Sequence, residues 1–225
     1  MANIAIIPAR GGSKRILKKN IKLFLGEPII NRVLRQVILS NIFDQVIVST
    51  DDISIMQVVS DSHNIDIHSR SSDLSDDHTG TQAVIQNVCY EMNLNDYDNI
   101  CCIYPTAALL RAKTLVETLS KFNKSNSDFL FSVKRFEHPI QRGFCINDVN
   151  KIISNESART FERTQDINEV YFDAGYFYWG SGRVWKAQKS IINHSNEVFV
   201  YGPLDSWDID DIEDWTVAEK LASLL

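Results

Sequence analysis

The sequence predicts an α/β fold with a mostly parallel, doubly wound sheet, because short apolar runs alternate with segments of helical periodicity. Four runs are rich in Ile and Val, as is typical of strands buried on both faces: Asn3–Pro8, Gln45–Thr50, 65–68 and 99–104. Four further segments repeat apolar residues at a spacing near 3.6 and predict helices: 27–40, 53–62, 81–92 and 113–122. Pro28 suits the first turn of the first of these helices. Strands that alternate with such helices pair in parallel and carry helices on both faces of the sheet.

The regular alternation ends near Asp128, and a different pattern follows. Residues 128–136 have the composition of a strand, short polar and aromatic pieces come next, and a last helix begins at about Asp211. No stretch rich in Gly, Pro or Ser separates this part from the rest of the chain. We therefore expect a single domain over residues 1–225, with an insertion or small subdomain at about 137–172.

Composition and charge limit the possible classes of function. The chain has 225 residues, 44% of them apolar and 23% charged, and its net charge of −6 argues against a general nucleic-acid binder. No apolar run approaches the ~20 residues of a membrane helix, and we expect no secretion signal. A cytoplasmic protein with neither nucleic acid nor membrane as partner is expected. The spacings of the four cysteines and five histidines fit neither a zinc site nor a disulfide framework, so buried, reduced thiols are expected.

Cations are concentrated after the first predicted strand, where residues 10–22 contain six of the 23 Lys and Arg. Gly11 and Gly12 allow positive φ and close approach of a ligand, and successive backbone N–H groups there can form a nest for an anion. Three cations can add charge-assisted hydrogen bonds to a polyphosphate: Arg10, Lys14 and Lys19. The spacing is neither GxGxxG nor that of a P-loop, and a simple turn with a solvated face is the alternative. We predict a phosphate-binding strand–loop–helix unit at the carboxyl edge of the sheet.

An acidic counterpart precedes the predicted last helix, where six carboxylates stand within ten residues. Asp208 and Asp210 flank one apolar residue, and residues two apart in an extended segment point to the same side. They can therefore converge on one Mg²⁺, which takes oxygen ligands and is usually shared with substrate phosphates. The alternative is helix capping, with Asp210 or Asp211 at the N-cap and Glu213 and Asp214 in the first turn. A phosphate loop and a magnesium-binding pair together indicate chemistry on a nucleoside triphosphate.

Taken together, the motifs resemble those of the CMP-sialic acid synthetase (acylneuraminate cytidylyltransferase) family, and within it the bacterial members that act on pseudaminic acid. The matching pieces follow the family's order over nearly the whole chain: IPARGGSKR with KN (7–20), FDQVIVSTDD (43–52), R with DLSDDHTGT (70–81), YPTAALLR (104–111), PIQR (139–142), RTQD with DAGYFYWG (163–180) and DIDDIEDW (208–215). The resemblance implies a Rossmann-type core like that of other nucleotidyltransferases, with a small inserted subdomain that mediates dimerisation.

The resemblance also implies roles for individual residues. Ten would contact the nucleotide: Ala9, Arg10, Gly11, Gly12, Lys14, Lys19, Asn20, Arg70, Asp77 and Thr81. Seven would face the sugar: Tyr104, Gln141, Arg142, Arg163, Gln165, Asp173 and Tyr176. Asp208 and Asp210 would bind the metal, and together with Arg10 and Lys14 they would be the catalytic group. Some of these residues can have a purely structural role instead. Asp77 or Thr81 can cap the helix that follows, and the aromatic residues of YFYW can belong to the core.

The implied reaction transfers CMP from CTP to the anomeric hydroxyl of a nine-carbon sugar acid and releases pyrophosphate. The CMP-sugar would be used for bacterial surface glycans or for the glycosylation of flagellin. The resemblance implies Mg²⁺ as the cofactor and a homodimer. Phe172 and Tyr176 stand where the pseudaminic-type members have His and Gln, so another sugar acid is an alternative to pseudaminic acid: N-acetylneuraminic, legionaminic or KDO-type. A metal-dependent glycosyltransferase, which also uses an Asp-x-Asp motif, is a second alternative, and a nucleotide-binding regulator without turnover is a third.

Overall fold

The computed structural model describes residues 1–60, 64–76, 79–153 and 162–224. In these ranges a central sheet contains seven strands: β1 (Asn3–Pro8), β2 (Gln45–Thr50), β3 (Asp66–Ser69), β4 (Asn99–Ile103), β5 (Phe129–Arg135), β6 (Tyr171–Ser181) and β7 (Glu197–Tyr201). They lie in the order β7-β5-β6-β4-β1-β2-β3. The four strands predicted in the first half of the chain are all present, with bounds that differ by a residue at most.

The sheet is mostly parallel, as predicted, and one strand is the exception. β6 runs antiparallel to both of its neighbours, β4 and β5, whereas the other pairings are parallel. The register between β6 and β5 shifts between Asp173 and Tyr178, and Gly175 lies in this irregularity with φ +64°. A Cβ at Gly175 would lie 3.5 Å from Oδ1 of Asp208, so glycine permits both the backbone conformation and the close approach to the acidic segment.

Helices cover both faces of the sheet, which confirms the doubly wound arrangement: α1 (Ile29–Ser40), α2 (Ile53–Ser60), α3 (Thr81–Glu91), α4 (Ala112–Lys124), α5 (Gly182–Lys186) and α6 (Ile212–Ala222). One core contains side chains from α1, α2, α4 and α6, and a second core contains side chains from α3 and α5. β1 contributes Ala5 and Ile7 to the first core and Ile4 and Ile6 to the second, which explains its continuous apolar run. No helix in the described ranges has the length and hydropathy of a membrane span.

The first helix begins two residues later than the sequence suggested. Glu27 and Pro28 pair with Leu23–Phe24 in a short antiparallel hairpin, so Pro28 has an extended backbone and precedes the first turn of α1 instead of belonging to it. Ile38 continues the apolar spacing of α1, yet the residue is 48% exposed. Asn41 ends α1 in the left-handed conformation.

The chain leaves the sheet at the end of β5 and enters it again at β6. The connection closes where the N–H of Phe136 donates to the carbonyl oxygen of Val170 at 3.0 Å. Its described part contains a short antiparallel ribbon, in which Cys145–Ile146 pairs with Ile152–Ile153. The predicted insertion at 137–172 coincides with most of this connection and also takes in the first two residues of β6. Its character as a subdomain stays a prediction.

Three of the four cysteines are buried, as expected. Cys89, Cys101 and Cys102 lie in the two cores, and desolvation raises the pKa of each thiol, that of Cys89 to about 12. These thiols therefore act as small apolar side chains. The expectation of burial is wrong for Cys145, which is exposed on the ribbon because that segment lies outside both cores.

Candidate active site

A cleft of about 310 Å³ opens at the carboxyl edge of the sheet, where Pro8 ends β1 and Tyr104 follows β4. Open parallel sheets bind ligands at this edge. Eight of the residues predicted to bind nucleotide, sugar or metal line the cleft: Arg10, Lys14, Lys19, Asn20, Arg70, Thr81, Tyr104 and Asp210. The fold therefore brings together residues from both ends of the chain at one cavity.

The two glycines of the loop after β1 are used differently from what the sequence suggested, because neither has positive φ. The N–H of Gly11 donates to Oδ1 of Asp51 at 3.0 Å, and a Cβ at Gly11 would lie 2.5 Å from Oδ2 of Asp52. Gly11 is therefore required for close approach to the residues that follow β2. Among the residues that the structure describes, none lies within 4 Å of a Cβ at Gly12. The N–H of Gly11 is therefore bonded to the Asp51 carboxylate and does not contribute to the predicted anion nest.

No α-helix follows this loop directly, in contrast to the strand–loop–helix unit expected. A single 3-10 turn covers Lys19–Ile21, and α1 begins only at Ile29. Asn20 is buried, and its Nδ2 donates to the carbonyl oxygen of Arg10 at 2.9 Å, which ties the two ends of the loop together. The loop therefore presents no helix N-terminus, with its partial positive charge, to the cleft. The positive charge of the loop comes from its Lys and Arg side chains.

The basic loop and the acidic segment before α6 are in direct contact. Nζ of Lys19 donates to the carbonyl oxygen of Ile209 at 2.7 Å, and Nη2 of Arg15 pairs with Oδ1 of Asp210 at 2.6 Å. Burial lowers the pKa of Lys19, and the carboxylates of Asp210 and Asp208 oppose this shift. Arg15 was not among the predicted site residues, yet it lines the cleft together with its acidic partner.

The side chains of Asp208 and Asp210 are exposed, and Ile209 between them is fully buried, as the predicted alternation requires. Desolvation and the charge of Asp210 raise the pKa of Asp208. Asp211 is the N-cap of α6, and it forms a capping box with Asp214. Helix capping therefore accounts for Asp211 and Asp214. It does not account for Asp208 and Asp210.

The donor set at Asp208 and Asp210 fits a divalent ion that is shared with a substrate. The two carboxylates lie close enough for the charge of one to raise the pKa of the other, and a cation between them would remove this repulsion. In the described ranges no group of three or more His, Cys, Asp or Glu could form a closed metal cage. Mg²⁺ is commonly held by one or two carboxylates together with phosphate oxygens and water, which is the arrangement this pair allows.

A buried chain of hydrogen bonds holds Arg70 at the cleft. Nη2 and Nε of Arg70 donate to the carbonyl oxygen and to Oγ of Ser49, at 2.8 and 3.3 Å. Oγ of Ser49 also contacts Nδ1 of His68 at 3.0 Å, and Nε2 of His68 contacts Oε2 of Glu91 at 2.9 Å. The Glu91 carboxylate can only accept, so Nε2–H of His68 donates to it. In the neutral form of the ring Nδ1 is then the acceptor, and the Ser49 hydroxyl donates to it. Ser49 and His68 are buried, so the chain positions Arg70 and offers no exposed nucleophile.

A second chain of polar groups runs from Thr81 towards Asp173. Oγ1 of Thr81 lies 2.7 Å from the hydroxyl of Tyr104, and the hydroxyl of Tyr178 donates to Oδ2 of Asp173 at 2.7 Å. The two tyrosine rings are 5.5 Å apart, and burial raises the pKa of Tyr104 to about 12, so its hydroxyl stays protonated at neutral pH. Gly80 is the N-cap of α3, so the capping alternative for Thr81 is wrong.

Several predicted site residues do not line the cleft. Four belong to the connection between β5 and β6: Gln141, Arg142, Arg163 and Gln165. Arg142 donates to Oγ1 of Thr164 at 3.1 Å and Arg163 pairs with Asp166 at 2.8 Å, so both cations have partners within the connection. Ala9 is fully buried beneath the loop. Asp77 lies outside the described residues.

Tyr176 packs into the core and not against a cavity. Its side chain is 1% exposed, and its hydroxyl accepts from the N–H of Trp207 at 3.0 Å and donates to the carbonyl oxygen of the same residue at 3.3 Å. This placement agrees with the alternative in which the aromatic residues of YFYW belong to the core. It disagrees with the predicted contact between Tyr176 and a sugar. The hydroxyl instead fixes the backbone one residue before Asp208.

The sequence is similar to known proteins over nearly its full length. The model of the family described as "Cytidylyltransferase" matches residues 4–214. A pseudaminic acid cytidylyltransferase of Campylobacter jejuni subsp. jejuni serotype O:2 is 39% identical over 223 residues, which cover 98% of this chain and 96% of that protein. N-acylneuraminate cytidylyltransferase A of Danio rerio is 31% identical over 220 residues, which cover 96% of this chain and 50% of that protein.

Solved structures share the fold. A CMP:2-keto-3-deoxy-manno-octonic acid synthetase complexed with CTP matches with a TM-score of 0.73 at 14% identity, over 100% of this chain and 99% of that one. A 4-diphosphocytidyl-2C-methyl-D-erythritol synthase matches with a TM-score of 0.69 at 10% identity, over 98% of each chain. These likenesses show the architecture alone. The family match and the sequence relatives, in contrast, show that the chain belongs to the cytidylyltransferase family.

Proposed function

We propose that the protein transfers CMP from CTP to the anomeric hydroxyl of a nonulosonic acid, with pseudaminic acid as the substrate. One observation carries the proposal: Lys19 and Arg15 of the basic loop contact the acidic segment at Ile209 and Asp210, beside a cleft at the carboxyl edge of the sheet. The substrate class comes from the names of the relatives, of which the 39% identical protein is named for pseudaminic acid and the Danio rerio protein for N-acylneuraminate.

In the proposed reaction the anomeric oxygen attacks the α-phosphorus of CTP. A phosphorus–oxygen bond forms to the sugar, the bond from the α-phosphorus to the bridging oxygen breaks, and pyrophosphate leaves with the electron pair. The hydroxyl proton passes to water or to a nearby carboxylate. Because no covalent enzyme intermediate is needed, the side chains act by positioning the reactants and by stabilising charge.

The residues of the cleft divide into two proposed groups. The cations of the loop, chiefly Arg10, Lys14 and Lys19, bind the phosphates and stabilise the departing pyrophosphate through charge-assisted hydrogen bonds. Arg70 and Thr81 line the same cleft and contact the cytidine end. Arg70 is buried and donates two hydrogen bonds to Ser49, so its guanidinium is held in a fixed position at the cleft.

We propose Mg²⁺ as the cofactor, held by Asp208 and Asp210 and by phosphate oxygens of CTP. When bound, Mg²⁺ neutralises charge at the phosphates. Support comes from the raised pKa of Asp208, which reflects desolvation and repulsion from Asp210 that a divalent cation would offset. Arg15, which pairs with Asp210, holds that carboxylate in place at the cleft.

We further propose a cytoplasmic homodimer that forms through the connection between β5 and β6. Apolar side chains on its described part are exposed, and the largest of these exposed fractions are 69% for Val149, 67% for Ile152 and 60% for Ile146. Contiguous exposed apolar side chains favour an interface with another chain. Analytical ultracentrifugation tests this proposal. We expect the wild type to be a dimer and the double variant Ile146→Lys, Ile152→Lys to be a monomer.

A pyrophosphate-release panel tests the proposed reaction by crossing CTP, UTP, GTP and ATP with pseudaminic, N-acetylneuraminic, legionaminic and KDO acids. We expect release from CTP with pseudaminic acid, without any acceptor glycan, at a rate above that of every other pair. Faster release with another of these acids would keep the reaction and change the substrate. Absence of release from every pair would contradict the proposed function, and transfer that requires an acceptor glycan would indicate a glycosyltransferase.

A further inference from the structure

An ion pair joins the basic loop to the acidic segment at the cleft. Nη2 of Arg15 lies 2.6 Å from Oδ1 of Asp210, and both residues line the cavity. The structure therefore pairs a proposed ligand of Mg²⁺ with a cation of the chain itself. A guanidinium and a divalent ion at one carboxylate repel each other, because like charges a few ångströms apart interact unfavourably. Arg15 and Mg²⁺ are thus competitors for Asp210.

Asp210 is the fixed partner of this pair. Its N–H donates to Oδ2 of Asp214 at 3.0 Å, next to the N-cap of α6. The preceding residue, Ile209, is fully buried, and its carbonyl oxygen accepts from Nζ of Lys19 at 2.7 Å. These contacts hold the backbone at Asp210, so the backbone keeps its position when the Arg15 side chain turns away.

Arg15 is the partner that can move. Its side chain is 66% exposed, and within the described ranges Asp210 is its one hydrogen-bonding partner. A long side chain with many rotamers, exposed to water, can change its partner without disturbing the fold. Arg15 lines the same cleft as Arg10 and Lys14, where we propose that the phosphates bind. Phosphate oxygens are strong acceptors for a guanidinium, so a bound triphosphate offers Arg15 a second partner.

The charges around the acidic pair balance within the chain itself. Arg15 and Lys19 contribute two positive charges, and Asp208 and Asp210 contribute two negative charges. A divalent ion alone would therefore give this group of side chains an excess of positive charge. The phosphates of CTP supply the negative charge that offsets it, so the ion and the nucleotide each favour binding of the other.

We propose that Arg15 exchanges partners when the substrate binds: it leaves Asp210 for a phosphate of CTP, and Mg²⁺ takes its place at the carboxylate. This inference rests on the proposed function and deepens it, because it makes Arg15 the residue that couples binding of the metal to binding of the nucleotide. Two other roles predict different results. Arg15 could only hold Asp210 in place, or it could bind a phosphate whether or not the metal is present.

Binding of the metal alone gives the first test. Mn²⁺, which takes the same oxygen ligands as Mg²⁺, is titrated into the protein without nucleotide, and free Mn²⁺ is measured by electron paramagnetic resonance. We expect Arg15→Met to bind Mn²⁺ about two- to fivefold more tightly than the wild type, the scale of one exposed ion pair. Weaker binding, or the same affinity in both proteins, would overturn the proposal. Lys18→Met removes a charge from the same loop outside the cleft and should leave the affinity unchanged.

Binding of CTP with and without the metal gives the second test. Calorimetry measures the affinity for CTP in the presence of Mg²⁺ and in EDTA, with no sugar acid added. We expect Arg15→Met to weaken CTP binding about tenfold with Mg²⁺, the scale of a hydrogen bond to a charged group, and less than about twofold in EDTA. An equal loss under both conditions would show that Arg15 binds a phosphate without any exchange and would contradict the proposal. No loss under either condition would also contradict it.

A double-mutant cycle in EDTA tests whether Asp210 is what withholds Arg15 from the nucleotide. Asp210→Asn should strengthen CTP binding, and the gain should be smaller when Arg15 is already replaced by Met. Equal gains in the two backgrounds would refute the coupling. The ion pair is exposed and contributes little to stability, so these variants should fold. None of the measurements needs turnover: a failure of pyrophosphate release would count against the proposed function, whereas these affinities decide the exchange.

Discussion

Nζ of Lys19 donates a 2.7 Å hydrogen bond to the carbonyl oxygen of Ile209, although 190 positions separate the two residues in sequence. The side chain of Ile209 is fully buried, so the bond anchors the loop after β1 to a fixed point of the core. Asp208 and Asp210 flank this point, and Asp210 lines the cleft. Phosphates that enter the cleft would therefore meet cations and carboxylates whose relative positions are set by the fold.

Removal of a loop cation should reduce catalysis and leave the fold intact. We expect Lys14→Met to lower kcat/KM by ~10²-fold, which is the scale for loss of one donor that stabilises charge in a transition state. Steady-state pyrophosphate release measures this effect. Lys18→Met is the matched control, because Lys18 is exposed in the same loop and does not line the cleft. Near-normal turnover of a folded Lys14→Met enzyme would contradict the assignment.

Neutralisation of Asp210 should weaken the response to magnesium. We expect Asp210→Asn to need about tenfold more Mg²⁺ for half-maximal activity, the factor that corresponds to ~1.4 kcal/mol of lost binding. The exposed ion pair with Arg15 is also lost, but such pairs contribute little to stability, so melting should barely change. A magnesium titration of pyrophosphate release gives the answer, with Glu117→Gln on the exposed side of α4 as control. An unchanged titration curve would remove Asp210 from the metal site.

Asp208 should make the metal-free protein less stable at neutral pH. Its pKa is raised in the folded state, so the folded protein binds this proton more tightly than the unfolded chain, and stability is lost as the pH rises through the folded pKa. We therefore expect Asp208→Asn to melt at a higher temperature than the wild type at pH 7, with a difference that shrinks towards pH 4. Millimolar Mg²⁺ should stabilise the wild type and not the variant. Thermal melting across this pH range checks both points, and a variant that melts lower at pH 7 would refute them.

His68 should act on the nucleotide through Arg70. We expect His68→Leu to raise KM for CTP by about three- to tenfold, since a buried hydrogen bond contributes ~0.5–1.5 kcal/mol, and to change kcat much less. His68→Gln can still donate to Glu91 and accept from Ser49, so it should restore part of the affinity. A purely structural role would instead lower the melting temperature of both variants and move kcat and KM together. Kinetics with CTP as the varied substrate distinguish these results.

Local patterns in the sequence were sufficient for most of the fold. The strands of the first half are short continuous apolar runs, and its helices repeat apolar residues at a spacing near 3.6, so both kinds of element can be recognised without the tertiary structure. The contact between the basic and acidic clusters was also predictable, because opposite charges concentrated near the two chain ends suit one polyanion and its metal. Capping was expected at Asp210 or Asp211 because both stand just before a helical pattern, and the structure has Asp211 as the N-cap.

Features that depend on distant residues could not be predicted in this way. β6 pairs antiparallel with β4 and β5, which are distant in sequence, and no local pattern encodes this direction. Gly11 is needed because Asp52 approaches it, which only the pairing of β1 with β2 brings about. His68 stands at no recognisable spacing from other site residues, and only the pairing of β2 with β3 brings it to Ser49.

The identity of the phosphorus-containing products tests the central claim most directly. Phosphorus-31 NMR of the protein with CTP, pseudaminic acid and Mg²⁺ should show pyrophosphate and a new CMP phosphodiester appearing in equal amounts, and neither should appear when the sugar acid is omitted. Hydrolysis of CTP to CDP and phosphate, or an unchanged CTP spectrum with every nonulosonic acid supplied, would contradict cytidylyl transfer at this cleft.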